Sequence, residues 1–333
     1  MLYKISRCFY SRLKPDKREG TNIIQKMSIK RMVYVYDGKG AENNSKRLLI
    51  YALQQSLDKE YDVCTISPDQ IKEGSWKDKA AAIAFGGGYD LGFISDLGSQ
   101  GINNIKVYVQ EGGKYLGICA GAYFGCKRIE FDRCGPLEVC GDRDLGFFPG
   151  LCKGPVYPGF KYNTFEGSLA VPIELQQSSI TKRSLDVYFH GGGYFETNSI
   201  DYSVLDSVQI SLNTKLKRES LKRRKKLLNT SQKSSQQIVR LKQKACHKLL
   251  SRKVQILANY SEIENKPPAI VTCYFGKGVA ILSGVHVEYS SKLLDDKDPF
   301  LKNVIEKLQP CEDARSTYFM SLLEKLGLNI RLS

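Results

Sequence analysis

The segment Tyr115-Leu-Gly-Ile-Cys-Ala-Gly-Ala122 leaves the backbone few paths. A short apolar run, Tyr115 to Ile118, predicts a strand, a helix-compatible run, Ala122 to Cys126, follows at once, and Gly117 and Gly121 flank the junction. Only small residues let a chain turn so sharply from strand into helix, and the residue at the apex, Cys119, is then held above the sheet instead of within it. This elbow needs a sheet to carry it, and its sulfur stands at the start of a helix, where peptide dipoles favour thiolate.

The surrounding sequence supplies such a sheet. Strand-like runs occur at Met32 to Tyr36, Tyr61 to Ile66 and Ala81 to Phe85, and helix-like runs at Lys46 to Leu57 and Ile102 to Glu111. The alternation predicts an α/β fold with a mostly parallel central sheet covered on both faces. Ligands of such sheets sit beyond the carboxyl ends of the strands, where Asp37, Gly38, Gly40, the Gly86 to Gly88 run and Cys119 would gather. After Cys126 the pattern becomes richer in strands: Val171 to Leu175, Leu185 to Phe189, Val254 to Tyr260, Ile270 to Phe275 and Val279 to Leu282. Gly276-Lys-Gly278 reads as the hairpin turn between the last two, and Pro299 to Leu326 reads as two helices separated near Pro310.

A cysteine nucleophile needs a base, and the chain has three histidines, His190, His247 and His286. His286 lies in Ser283-Gly-Val-His-Val-Glu288, just after an apolar strand. Residues two apart in an extended segment point the same way, so Glu288 is placed to orient the imidazole, giving nucleophile, base and acid in the order Cys119, His286, Glu288. The Ala81-Ala-Ile-Ala-Phe-Gly-Gly-Gly88 block offers backbone N–H groups at Gly87 and Gly88 which, with that of Ala120, form a candidate oxyanion hole. His190-Gly-Gly-Gly-Tyr194 follows a strand and reads as a pocket wall, making His190, Gly191 and Tyr123 candidate substrate contacts. Each has a plainer reading: Cys119 as a buried small side chain, the glycine run as a tight turn, the His190 block as a strand end.

Gly-Ile-Cys-Ala-Gly-Ala, the Phe-Gly-Gly-Gly loop and Ser-Gly-Val-His-Val-Glu resemble, in order and spacing, the three catalytic blocks of class I glutamine amidotransferase-like proteins. From Val33-Tyr-Val-Tyr-Asp-Gly38 through Phe-His-Gly-Gly-Gly-Tyr194 to Val-Glu-Tyr289 the chain resembles in particular the amidotransferase-like N-terminal region of eukaryotic biotin-protein ligases. The resemblance implies a flavodoxin-like three-layer α/β/α domain with Cys119, His286 and Glu288 as its triad. Two departures stand out. Glutaminase elbows place Gln or Glu four residues after the cysteine, where this chain has Tyr123, which argues against glutamine as substrate, and His-Val-Glu replaces the usual His-Pro-Glu. The Gly-Arg-Gly-Arg biotinyl-adenylate loop of biotin ligases is missing, so biotin transfer is not implied.

The net charge of +15 is local: from Ser211 to Lys253 there are fifteen Lys and Arg against one Glu. Rich in Ser, Gln and Lys and poor in aromatics, this stretch reads as a solvated insertion, with docking on nucleic acid or anionic membrane as the alternative. The expected organisation is a basic extension over 1–31, an amidotransferase-like domain over 32–290 interrupted by the insertion at about 211–253, and a C-terminal helical segment over 291–333. Ten cysteines without a Cys-x-x-Cys pair point to reduced thiols and away from structural zinc, and Cys134 and Cys140 are the closest pair. A cytoplasmic protein is expected, with a mitochondrial one as the alternative suggested by seven basic residues before Met27. No run reaches membrane-spanning length.

These residues point first to a cysteine-dependent amide hydrolase or amidotransferase-like enzyme. It would use a thioester intermediate and no cofactor or metal, act on a small amide or acyl substrate, and could pair with a partner synthase or ligase. The alternative is a noncatalytic regulatory or metabolite-binding module that keeps the same site.

Overall fold

The computed structural model describes residues 31–176, 184–199 and 254–331; the basic extension, the 211–253 insertion and His247 lie outside the described residues. The first strands run β1 (Arg31–Tyr36), β2 (Tyr61–Ile66), β3 (Ala80–Phe85) and β4 (Lys114–Ile118). They are connected through α1 (Asn43–Ser56), α2 (Pro68–Glu73) and α3 (Asp90–Gln110). All six residues of β3 are buried, as its place between β1 and β4 requires.

Further strands are β8 (Leu169–Leu175), β9 (Ser184–Phe189), β11 (Val254–Tyr260), β12 (Pro268–Phe275) and β13 (Gly278–Ser283). With the first four they form a nine-stranded sheet in the order β2-β1-β3-β4-β13-β12-β11-β8-β9. The run from β2 to β13 is parallel, whereas β13 to β9 pair antiparallel, so the sheet is mixed rather than purely parallel. The reason is visible in the connections: Gly276 and Lys277 allow only a hairpin between β12 and β13, while parallel neighbours need a crossover.

Alternation along the strands divides the core into two faces. Val33, Val35, Ala82 and Ala84 pack on one side with Leu49 and Leu53 of α1, joined by Tyr318, Phe319 and Leu322 of a C-terminal helix. Tyr36, Ile83 and Phe85 face the other side, against Phe93, Leu97 and Ile105 of α3. Helices on both faces give the expected three-layer arrangement. The two C-terminal helices, α5 (Lys302–Leu308) and α6 (Glu312–Lys325), are separated by a short 3₁₀ turn through Pro310, as the sequence predicts.

Three local expectations need correction. The helix after Cys119 is α4 (Ala120–Phe124), starting two residues earlier than the apolar pattern suggests, and Cys126 already opens β5 (Cys126–Phe131). β5 belongs to a second, four-stranded sheet with β6 (Val139–Asp142), β7 (Phe148–Gly154) and β10 (Tyr194–Glu196), which the sequence reading omits. α3 begins at Asp90, well before Ile102; Gly98, at φ 56° and ψ −173°, breaks its regular backbone and masks its apolar period.

Candidate functional site

Cys119 follows β4 directly and has φ 52° and ψ −108°. A positive φ at a residue with a Cβ is strained by about 1–3 kcal/mol and persists only where the surroundings impose it. The surroundings here are backbone: the Cys119 N–H donates to Ser283 O at 2.8 Å, and Gly121 N–H donates to Gly86 O at 3.1 Å, lashing the elbow to β13 and β3. Both flanking glycines are required by this approach. A Cβ on Gly117 would stand 2.4 Å from Gly121 O, and one on Gly121 would stand 2.1 Å from Phe85 O.

His286 lies beyond the end of β13, where its N–H donates to Tyr188 O at 2.8 Å and so attaches the segment to β9. Its Nδ1–H donates to Glu288 Oε1 at 2.7 Å, with both side chains buried. Burial works against the imidazolium. The Glu288 carboxylate opposes it, together with hydrogen bonds to Cys119 and Glu288, and His286 is pushed up to about 10. Since Nδ1 is committed to the carboxylate, Nε2 is the nitrogen left for the sulfur. Glu288 Oε2 is buried without a partner among the described residues, so His286 is the group that answers this carboxylate.

These residues open onto a cavity of about 640 Å³ at the carboxyl ends of β1, β3 and β4. Gly40, Gly87, Gly88, Cys119, Ala120 and His286 line it, whereas Asp37 and Gly38 do not. Its outer wall is aromatic, built from Phe131, Phe160, Tyr162 and Phe165, and its inner wall carries Tyr188 and Tyr289, stacked at 4.6 Å. Asp90 reaches the cavity from the start of α3 and is held in a buried ion pair with Arg143 at 2.6 Å.

The three candidate oxyanion donors are not equivalent. Gly87 N–H donates to Ser45 Oγ at 2.8 Å and is already engaged, which removes it from the expected set. Gly88 and Ala120 line the cavity, and no hydrogen bond among the described residues uses their N–H groups. Ser45 is buried in the first turn of α1 and lines the cavity. No sequence signal singles it out, because its role arises only where α1 meets the glycine loop.

The remaining candidates, Tyr123, His190 and Gly191, line the same cavity. His190 Nε2–H donates to Glu166 O at 2.9 Å, its ring packs on Phe160, and burial lowers its affinity for a proton. Its carbonyl, not its ring, faces the Cys119 sulfur, at 3.6 Å. Tyr123 is buried, and its hydroxyl donates to Gly191 O at 3.2 Å, joining the elbow helix to the glycine block. That block is close-packed: a Cβ on Gly192 would lie 1.7 Å from Gly284 O. Among the described residues no group of three metal-ligating side chains gathers, and no helix is long and apolar enough to cross a membrane. Cys134 and Cys140 are both free thiols.

The family model described as biotin-protein ligase, N terminal, matches residues 31–224 and 241–333. An uncharacterized protein of Chlamydia muridarum is 27% identical over 301 residues, spanning 90% of this chain and 96% of that protein. The biotin-protein ligase of Schizosaccharomyces pombe is 28% identical over 306 residues, and the match spans 90% of this chain but 38% of the ligase. Among solved structures, a glutamine amidotransferase from Thermotoga maritima aligns with a TM-score of 0.46 at 11% identity, covering 89% of this chain and 97% of that one. With the family model covering most of its length, the chain belongs to the biotin-protein ligase N-terminal family.

Proposed function

We propose that the protein is a cysteine-dependent amide hydrolase or acyl-transfer enzyme. The observation that carries this reading is the buried Nδ1 to Oε1 contact of 2.7 Å between His286 and Glu288, beside a strained Cys119 at the apex of its elbow. A carboxylate fixed on Nδ1 sets the tautomer and keeps Nε2 as the proton carrier for the sulfur. Cys119 attacks the carbonyl carbon of a carboxamide bound in the cavity, forming a C–S bond while the carbonyl π electrons move onto oxygen. The N–H groups of Gly88 and Ala120 are the donors for that oxyanion, each worth about 3 kcal/mol of barrier where such donors have been removed. Collapse breaks the C–N bond, His286 delivers its proton to the departing ammonia or amine, and a thioester remains. Water, deprotonated by His286, attacks the thioester, the C–S bond breaks, and the sulfur recovers its starting state as the acid leaves.

The cavity favours a substrate with apolar or aromatic surface, given the Phe131, Phe160, Tyr162 and Phe165 wall. Glutamine fits this wall poorly, since the Tyr123 hydroxyl is spent on Gly191 O and is not turned to a ligand. The test is release of ammonia from primary carboxamides and of amine from secondary ones by wild type and Cys119→Ala, with intact-mass detection of the acyl-enzyme. Release that depends on Cys119 and a matching mass adduct support the reading. Equal background from both proteins across the panel, with no adduct, removes it.

A further inference from the structure

Arg315 is the largest of the fully buried side chains, at 1% exposure, and none of the steps above employs it. It stands in the first turn of α6, and its guanidinium makes four hydrogen bonds, two of them within the stretch from Leu308 to its own helix and two to distant parts of the chain. Nε–H donates to Tyr289 O at 3.0 Å, Nη1–H donates to Leu308 O at 2.9 Å and to Asp186 O at 3.2 Å, and Nη2–H donates to the Glu312 carboxylate. Glu312 Oε2 in turn accepts from Ser291 N–H at 3.0 Å and from Ser291 Oγ at 2.7 Å.

The places these bonds grip are informative. Tyr289 is the residue after Glu288, and Ser291 lies two further on, so Arg315 and Glu312 together hold the segment that carries the acid on its C-terminal side. Asp186 lies on β9 two residues before Tyr188, whose carbonyl receives the His286 N–H. A single guanidinium therefore ties β9 to the segment after β13, whose meeting sets where the imidazole stands, and does so on rigid geometry that a lysine ammonium cannot reproduce.

We propose that Arg315 and Glu312 form a positioning clamp for the His286 and Glu288 pair, so that helix α6 is a working part of the site. This rests on the reading of Cys119, His286 and Glu288 as nucleophile, base and acid. The clamp acts through the main chain: with it intact, Glu288 Oε1 stays within hydrogen-bond reach of Nδ1, and loosening it lets the carboxylate drift and lowers the hold of His286 on its proton.

The experiment is alkylation of Cys119 by iodoacetamide across pH in the full-length protein, read by peptide mass spectrometry, with exposed Cys134 in the same molecule as internal control. In Arg315→Lys and Glu312→Gln the pH profile of alkylation at Cys119 is expected to be displaced by about one pKa unit, the equivalent of about a tenfold change in rate on its sloping limb. The Cys134 rate and cooperative unfolding are expected to persist. A merely structural role would lower the melting temperature and leave the profile in place. Should Arg315→Lys fail to fold, Ser291→Ala, which deletes one side-chain hydrogen bond, carries the test. Folded variants with the wild-type rate and profile overturn the clamp. If instead wild-type Cys119 reacts no faster than Cys134, and His286→Ala leaves it unchanged, the triad reading itself falls.

Discussion

Replacing Glu288 by Gln isolates the charge from the shape of the acid. Gln keeps an oxygen able to accept from His286 Nδ1, now 2.7 Å from Glu288 Oε1, and occupies almost the same volume. It removes the negative charge that opposes burial. In the native arrangement His286 rises from 6.5 to about 10; at about 1.4 kcal/mol per unit this bounds the preference for imidazolium at roughly 5 kcal/mol. Without the carboxylate, burial and the Cys119 contact are left to compete, and a fall of about two units is expected, which is about tenfold in the imidazolium fraction midway between the two values and about a hundredfold only above the native one. The pH profile of Cys119 alkylation should be displaced accordingly between about pH 8 and pH 10, with little change at neutral pH. Stability carries a second signature with a definite sign. A histidine whose folded value lies above its unfolded one contributes stability that is fully present below about 6.5 and is lost as pH climbs towards about 10. Urea titrations of the wild type at mildly acid and mildly alkaline pH should show that loss, and Glu288→Gln should flatten it. Superimposable alkylation profiles for the two proteins, with equal slopes of stability against pH, would refute the assignment of the His286 proton to Glu288.

Three further outcomes follow from the geometry. Cys119→Gly relieves the φ of 52° and should be more stable than Cys119→Ala by about 1 kcal/mol while equally inert, as denaturant midpoints would report; a less stable Gly variant contradicts a strained elbow. Gly192→Ala drives a Cβ to 1.7 Å from Gly284 O, so a loss above about 3 kcal/mol or failure to accumulate folded protein is expected, and a wild-type melting curve counts against the close approach. Ser45→Ala leaves the buried Gly87 N–H without its 2.8 Å acceptor, with an expected loss of about 1–3 kcal/mol in chemical denaturation and slower Cys119 alkylation; unchanged stability would mean the glycine loop is held by other contacts.

What could be read in the sequence was what depends on neighbours along the chain. The elbow was legible because Gly117 and Gly121 stand where no Cβ fits, and the His286 and Glu288 pair because extended residues two apart share a side. The strands β1, β2, β11 and the two C-terminal helices match their apolar runs closely. What stayed hidden depends on tertiary meetings. Cys126 is apolar enough to continue a helix pattern, yet it starts a strand because β7 is waiting to pair with it. Gly87 reads as a free donor until α1 delivers Ser45 to it, and Arg315 reads as one more surface charge on a helix with acidic neighbours until the carbonyls of Asp186 and Tyr289 close around it.

The clamp on Tyr289 and Ser291 also bears on the order of events during synthesis. Cys119 emerges from the ribosome while the residues that hold its base are still untranslated, and Arg315 follows later than His286 itself. In the proposed mechanism a nascent chain thus carries the Cys119 sulfur without its base until His286 is made, and that base is held in place only when helix α6 docks.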